Sequence, residues 1–251
     1  MSSLQQLDES QILNKLLEWE QPPWAELKDH PAFQPRWAAH FLRRRKIVTL
    51  EEIQAIYQDP DLRKDYRVRC AMCGAHRTPL SIQMTLMPSI RWADLMQLLR
   101  LPLLTGPSRQ AIDAYLQEKY PQLTLGEKIS FARKATRSLI PLLRVQPEGS
   151  VLNALFHNPY FTFDDALFMA SSPKVPARSL FALAQNPKWN RNREIRLALL
   201  SNPKLPNSAV PGLVKTLSPF ECQNLLQSPR LTLFVRRVLE RLSPSSQTGR
   251  T

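Results

Sequence analysis

Glycine is scarce in this chain, at 6 of 251 residues against 22 prolines. Average usage is roughly 7% glycine and 5% proline. Tight β-hairpins draw on glycine for turns with positive φ, so its scarcity argues against a hairpin-rich sheet. Proline is tolerated at the first position of a helix, where its missing N–H is no loss. The balance predicts many short helices. No glycine-rich phosphate loop is present. Cysteine is limited to three residues, an odd number that argues against a disulfide framework. No run of 18 apolar residues exists, so no membrane span is expected. The opening "MSSLQQLDES" lacks the basic and apolar regions of a secretory leader. Together these absences set a reducing, cytoplasmic location as the expectation. The four histidines form no readable Ser-His-Asp or Cys-His arrangement. A non-enzymatic protein with no cofactor, no metal and no identifiable small-molecule substrate is expected.

What is present is an ordinary globular composition, 43% hydrophobic and 22% charged. The net charge of +13 is unevenly placed. Residues 1–125 carry 16 Lys+Arg against 14 Asp+Glu, and residues 126–251 carry 18 against 7, so the halves stand at +2 and +11. That asymmetry points to an acidic partner for the second half.

Shifted by 127 residues, the sequence lies on itself without a gap. "RCAMCGAHRTP" (Arg69–Pro79) falls on "RLALLSNPKLP" (Arg196–Pro206), and "LLRLPLLTGPSR" (Leu98–Arg109) falls on "LLQSPRLTLFVR" (Leu225–Arg236). His30 falls on His157 and Phe41 on Phe168. The match predicts an internal duplication into halves at 10–116 and 137–242. A connecting segment, 117–136, leads into a longer helix read from Leu125 to Ile140. Residues 1–9 and 243–251 are expected to be disordered. Within each half, apolar stretches alternate with punctuation such as "HNPYFT", "QNPKW" and "SNPKLP". A residue before proline is pushed out of the helical region, so these are corners. The intervening helices are too short to stand alone and must bury faces against neighbours. The expected fold is all-α: an irregular α-solenoid of short, proline-punctuated helices.

"REIRLALLSNPKLPNSAVPGL" resembles the repeat of the leucine-rich repeat variant family, an all-helical relative of HEAT repeats. Arg196, Leu197, Leu200, Asn202, Pro203, Pro206 and Leu213 carry the resemblance, with Asn186 and Pro187. The prolines from Pro159 to Pro203 are irregularly spaced, which departs from that family's regular superhelix. The resemblance implies a binding scaffold and names no substrate.

"RCAMCGAH" poses a separate question, because Cys70, Cys73 and His76 have the spacing of metal ligands. The shift places Cys70 on Leu197, Cys73 on Leu200 and Cys222 opposite Leu95. Cysteine packs as a small hydrophobe. A zinc site needs four ligands and three are at hand locally. Core packing is therefore the expected role, with a redox or metal sensor as the alternative. Asp164 and Asp165 open a helix, where they favour its dipole.

The basic residues are the candidate site. "FLRRRK" contributes Arg43, Arg44, Arg45 and Lys46, opposite "FMASSP" in the second half. The middle helix contributes Arg133, Lys134 and Arg137, and "KWNRNREIR" contributes Lys188, Arg191 and Arg193. A solvated face and an anion-binding surface are the two readings of these clusters. Arg196 and Arg236 recur as Arg69 and Arg109, which marks those four as structural. The expected function is a helical-repeat scaffold that binds a protein partner, acidic in character, through a basic groove. The alternative is nucleic-acid (DNA) binding through phosphate contacts, weakening steeply with salt.

Overall fold

The computed structural model describes residues 3–19, 22–44, 48–229 and 231–242. Among the described residues every regular element is helical. The chain divides into two compact units, Met1–Pro121 and Gln122–Thr251. Among the described residues no helix is long and apolar enough to cross a membrane.

The first unit holds α1 (Glu9–Glu18), α2 (Trp24–Lys28), α3 (Arg36–Arg44), α4 (Leu50–Gln58), α5 (Pro60–Lys64), α6 (Tyr66–Gly74), α7 (Leu80–Leu86), α8 (Trp92–Leu98) and α9 (Gly106–Lys119). The second holds α10 (Leu125–Lys134), α11 (Ile140–Leu143), α12 (Gly149–Phe156), α13 (Phe163–Ser171), α14 (Ala177–Gln185), α15 (Pro187–Asn190), α16 (Arg193–Leu200), α17 (Val210–Val214), α18 (Pro219–Leu226) and α19 (Leu233–Leu242). The first residues of α3, α4, α5, α6, α8 and α9 each lie 127 before those of α13, α14, α15, α16, α18 and α19.

The helix starts are written in short polar residues. Asp8, Thr49, Thr124 and Ser218 each accept from the third helical amide, and the side chain at that third position reaches back to the cap. These capping boxes satisfy donors that a helix end leaves unpaired. Asp59 and Asn186 cap α5 and α15, each followed by a proline in the first turn. Asp65 and Asn192 cap α6 and α16. Every one of these helices is short, so its stability comes from the apolar face it buries.

In the first unit α3 packs on α6, with α1 on the far side of α3 and with α7 and α8 against α6. Trp37, Phe41, Ile53, Ile56, Val68, Met72 and Leu95 make the core. In the second unit α10 packs on α12, α13 on α16, and α17 on α19. Phe131, Leu155, Met169, Leu180, Leu183 and Leu199 make its core. Each such side chain contributes about 1.5–3 kcal/mol by leaving water.

The helix expected from Leu125 to Ile140 is broken. α10 stops at Lys134, Ala135 and Thr136 are extended, and Arg137–Leu139 form a 3-10 turn ahead of α11. The cause lies outside the segment. The buried Asn158 amide donates to the carbonyls of Ala132 (2.7 Å), Arg133 (3.3 Å) and Ala135 (3.0 Å), capping α10 from the next corner. Asn202 does the same at the end of α13, donating to Ala170 (2.7 Å) and Ser172 (3.2 Å). The Asn158-Pro159 and Asn202-Pro203 corners thus close the ends of α10 and α13, helices well before them in the chain, as well as turning the chain.

Candidate functional site

Helices α3, α6 and α8 of the first unit enclose a cleft of about 680 Å³. That is within the roughly 300–1,000 Å³ range of ligand sites. Its floor is apolar and buried: Leu42 of α3, Val48, and Cys70 and Ala71 of α6. Gly74 closes the floor. A Cβ there would meet Leu98 Cδ2 and Leu101 Cδ1 at 3.0 Å, so the bare backbone lets both leucines settle against α6.

The rim is exposed and of two kinds. Arg43, Arg67 and Arg77 bring positive charge, while Leu101, Pro102 and Leu103 bring an apolar edge, with Leu103 65% exposed. The apolar edge is held in place. The Arg109 guanidinium donates to the carbonyls of Leu99 and Leu101, and its Nε donates to Leu104 O at 3.2 Å. His76 Nδ1 lies 3.0 Å from Leu103 O. One wall is polar: the Tyr66 hydroxyl donates to Asp94, and Arg91 Nε donates to Asp94 Oδ2 at 3.0 Å. The single carboxylate of the lining is therefore already paired. Burial and the bond to Asp94 push the Tyr66 phenol up from its ordinary value.

Cys70 faces this cleft and Cys73 lies in the core behind it, and both are buried. Burial pushes the Cys73 thiol up to about 12, and burial raises Cys70 as well. A raised thiol is a poor nucleophile and a poor ligand at neutral pH. Among the described residues no group of three or more His, Cys, Asp or Glu side chains is placed to hold a metal ion. The sulfurs occupy apolar positions, as their leucine counterparts do.

The basic candidates separate into three places. Arg43 lines the cleft and Arg44 is exposed beside it on α3, while Arg45 and Lys46 lie outside the described residues. In the second unit, Arg133 and Lys134 end α10, and Arg137 follows them into an ion pair with Asp165. Arg144 Nη1 joins that carboxylate at 3.0 Å. Asp165 is only 1% exposed. Burial works to raise its pKa, but the bonds from Thr162 and Arg137 outweigh that and hold the carboxyl below the usual range. Asp165 thus does more than serve a helix dipole. Arg193 of the third cluster pairs with Glu221 at 2.8 Å. The Ser218 amide leads the contacts that hold Glu221 low. Lys188 lies over the Trp189 ring at 4.5 Å, and Arg191 is exposed. Arg137 and Arg193 are therefore half spent on internal carboxylates.

Arg109 and Arg236, read as structural, are so. Arg236 donates to Leu226 O (2.9 Å) and Ser228 O (3.3 Å), each acceptor 127 residues after those of Arg109. Arg67 and Arg77 were not among the candidate clusters and are brought to one rim by the fold. The signal available was a mismatch: Arg67 falls on Glu194 and Leu101 on Ser228.

No family model, curated protein or solved structure matches the chain.

Proposed function

We propose that the chain is a non-enzymatic helical-repeat scaffold whose first-unit cleft captures an acidic, amphipathic segment of a partner protein. One observation carries the reading. The cleft couples an apolar floor and edge to three arginines, of which Arg43 and Arg67 have no basic counterpart in the second unit while Arg77 falls on Lys204. At the positions 127 later, Arg43 becomes Ala170, Arg67 becomes Glu194 and Leu101 becomes Ser228, while the floor residues Leu42 and Val48 become Met169 and Val175. The floor keeps its apolar character, while Arg43, Arg67 and Leu101 of the rim change. Packing explains the first, and recognition explains the second. An apolar groove ringed by positive charge complements a helix with leucines on one side and carboxylates beside them.

The repeat reading rests on the same correspondence. Six helix starts, the Arg109 and Arg236 clamps, and the Asp65 and Asn192 caps all recur at the offset of 127. We read this as an internal duplication of one helical plan, and as support for kinship with leucine-rich repeat variant and HEAT-like solenoids.

Selection of displayed random peptides on the purified protein tests the function. Enriched peptides are expected to carry Asp or Glu with apolar residues at helical spacing. Their binding should fall at least tenfold on Arg67→Glu and on Leu103→Asp, which are exposed positions that leave the fold intact. Enriched peptides without acidic residues, or binding that ignores both substitutions, would refute the cleft as the site.

A further inference from the structure

Beside α13 of the second unit lies a continuous surface that the cleft does not involve. It can be followed contact by contact. The Asn158 side chain that holds the Arg133 carbonyl also accepts from Tyr160 N at 2.7 Å. The Arg137 guanidinium donates to Tyr160 O at 3.2 Å and pairs with Asp165. Arg144 shares that carboxylate, and its Cζ lies 4.0 Å from the centroid of the Phe168 ring. Arg137, Arg144, Tyr160 and Phe168 therefore form one run of contacts, and Asn158 ties it to the end of α10, where the exposed Arg133 and Lys134 stand.

Two aromatic rings in this surface face water, Tyr160 at 44% and Phe168 at 40% exposure. Packing does not demand that. Phe41, 127 residues earlier and at the same place in its helix, is fully buried under the edge of Trp24. Arg137 and Arg144 touch the two aromatic residues and Arg133 and Lys134 end the helix that Asn158 ties to them, against the carboxylates of Asp164 and Asp165, and Asp165 is sealed within its ion pairs. The local excess is positive, in a unit that carries 18 Lys+Arg against 7 Asp+Glu.

We propose that this face binds single-stranded nucleic acid, with Arg133 and Lys134 on phosphates and Phe168 and Tyr160 as stacking platforms for bases. Exposed aromatic rings set among cations are the elements of sequence-tolerant strand binding. A duplex offers phosphates but hides its base faces, and so would use only half of the surface. An acidic polypeptide would use the cations but leave the rings without a stacking partner.

The test is fluorescence anisotropy with labelled oligothymidylate of about 15 nucleotides, a length that covers one compact binding site. Titrations run at several salt concentrations, beside a duplex of equal length and polyglutamate. The strand should bind most tightly. Arg133→Glu with Lys134→Glu should weaken it at least tenfold and lower the salt slope by about 1.4, the value for two phosphate contacts on a single strand. Phe168→Ala should weaken it about tenfold, the loss of one stacked base, with the salt slope unchanged. Circular dichroism and melting should show both variants folded, since all three positions are exposed. Peptide capture by the cleft should survive in both, so failure here leaves that reading standing. No strand binding at low salt, a duplex or polyglutamate binding equally well, or silence of Phe168→Ala would each overturn the proposal.

Discussion

Phe41 and Phe168 occupy the sixth position of α3 and α13, helices of nine residues each, yet one ring is sealed and the other meets solvent. In the first unit Trp24 covers the ring edge-on at 5.4 Å. In the second, Val151 stands at the corresponding position and Arg144 lies over the ring instead. A guanidinium beside a core needs an acceptor, and Asp165 supplies one from within. Elsewhere the relation reverses. The first unit exposes leucines around its cleft where the second has Ser228. The lesson is that the two units place six helix starts, the Asp59/Asn186 and Asp65/Asn192 caps and the Arg109/Arg236 clamps at the same offset, and differ in what they show to solvent. A net charge of +2 against +11 expresses the same division.

The largest effect that would sharpen this comparison is expected from Asp165→Ala. It leaves the half-buried Arg144 without its carboxylate and removes the partner of the Thr162 capping box, and about 3 kcal/mol of second-unit stability should go. Tyr66→Phe, which removes the hydrogen bond to Asp94 in the first unit, should cost about 1 kcal/mol. Urea unfolding followed by tryptophan fluorescence measures both, and equal losses would mean that burying the Asp165 carboxylate among its partners adds nothing. Next, Arg109→Ala and Arg236→Ala should each cost about 2 kcal/mol, since each removes charged hydrogen bonds to helix-end carbonyls. Sharply unequal losses would break the correspondence between the units. Arg109→Ala should also weaken peptide capture, because the Leu101 edge loses its clamp.

The third effect is on pH. The folded-state pKa of Asp165 lies below its ordinary value, so the group contributes stability above the unfolded pKa of about 3.9. That contribution should vanish as pH falls through the lower folded value. Unfolding midpoints taken from neutral pH to pH 2 should drop more steeply for the native chain than for Asp165→Asn. Parallel curves would show that the pair is not linked to folding. The smallest effect concerns Cys70→Leu, the residue found at Leu197. Stability should change by less than about 1.5 kcal/mol, because Cys70 borders the cleft and the added carbons have room to extend into it. A larger loss, measured by melting, would say that the sulfur is needed as sulfur.

The helical class was legible because proline at helix starts and Asn or Asp caps act locally. Asn186-Pro187 and Asn192 both mark starts where the pattern places them. The break after Lys134 was not legible. Apolar spacing runs on through Leu139 and Leu143, and the group that stops the helix is Asn158, some two dozen residues away. The cysteines were legible through their leucine counterparts. The cleft was not, since Leu42, Gly74 and Leu103 come together only when α3, α6 and α8 pack. Clustering drew attention to Arg137 and Arg193, yet each serves an internal carboxylate. Arg67, which was not among the candidates, stands on the cleft rim.

The measurement that bears most directly on a shared plan with divergent surfaces is a graft. Arg67→Glu with Leu101→Ser gives the first unit the residues that the second carries at Glu194 and Ser228. Urea unfolding and titration with a selected acidic peptide are then read on the same sample. Stability within about 1 kcal/mol of the native chain, with peptide binding lost, is expected. A folded graft that binds the peptide as tightly as before would contradict it.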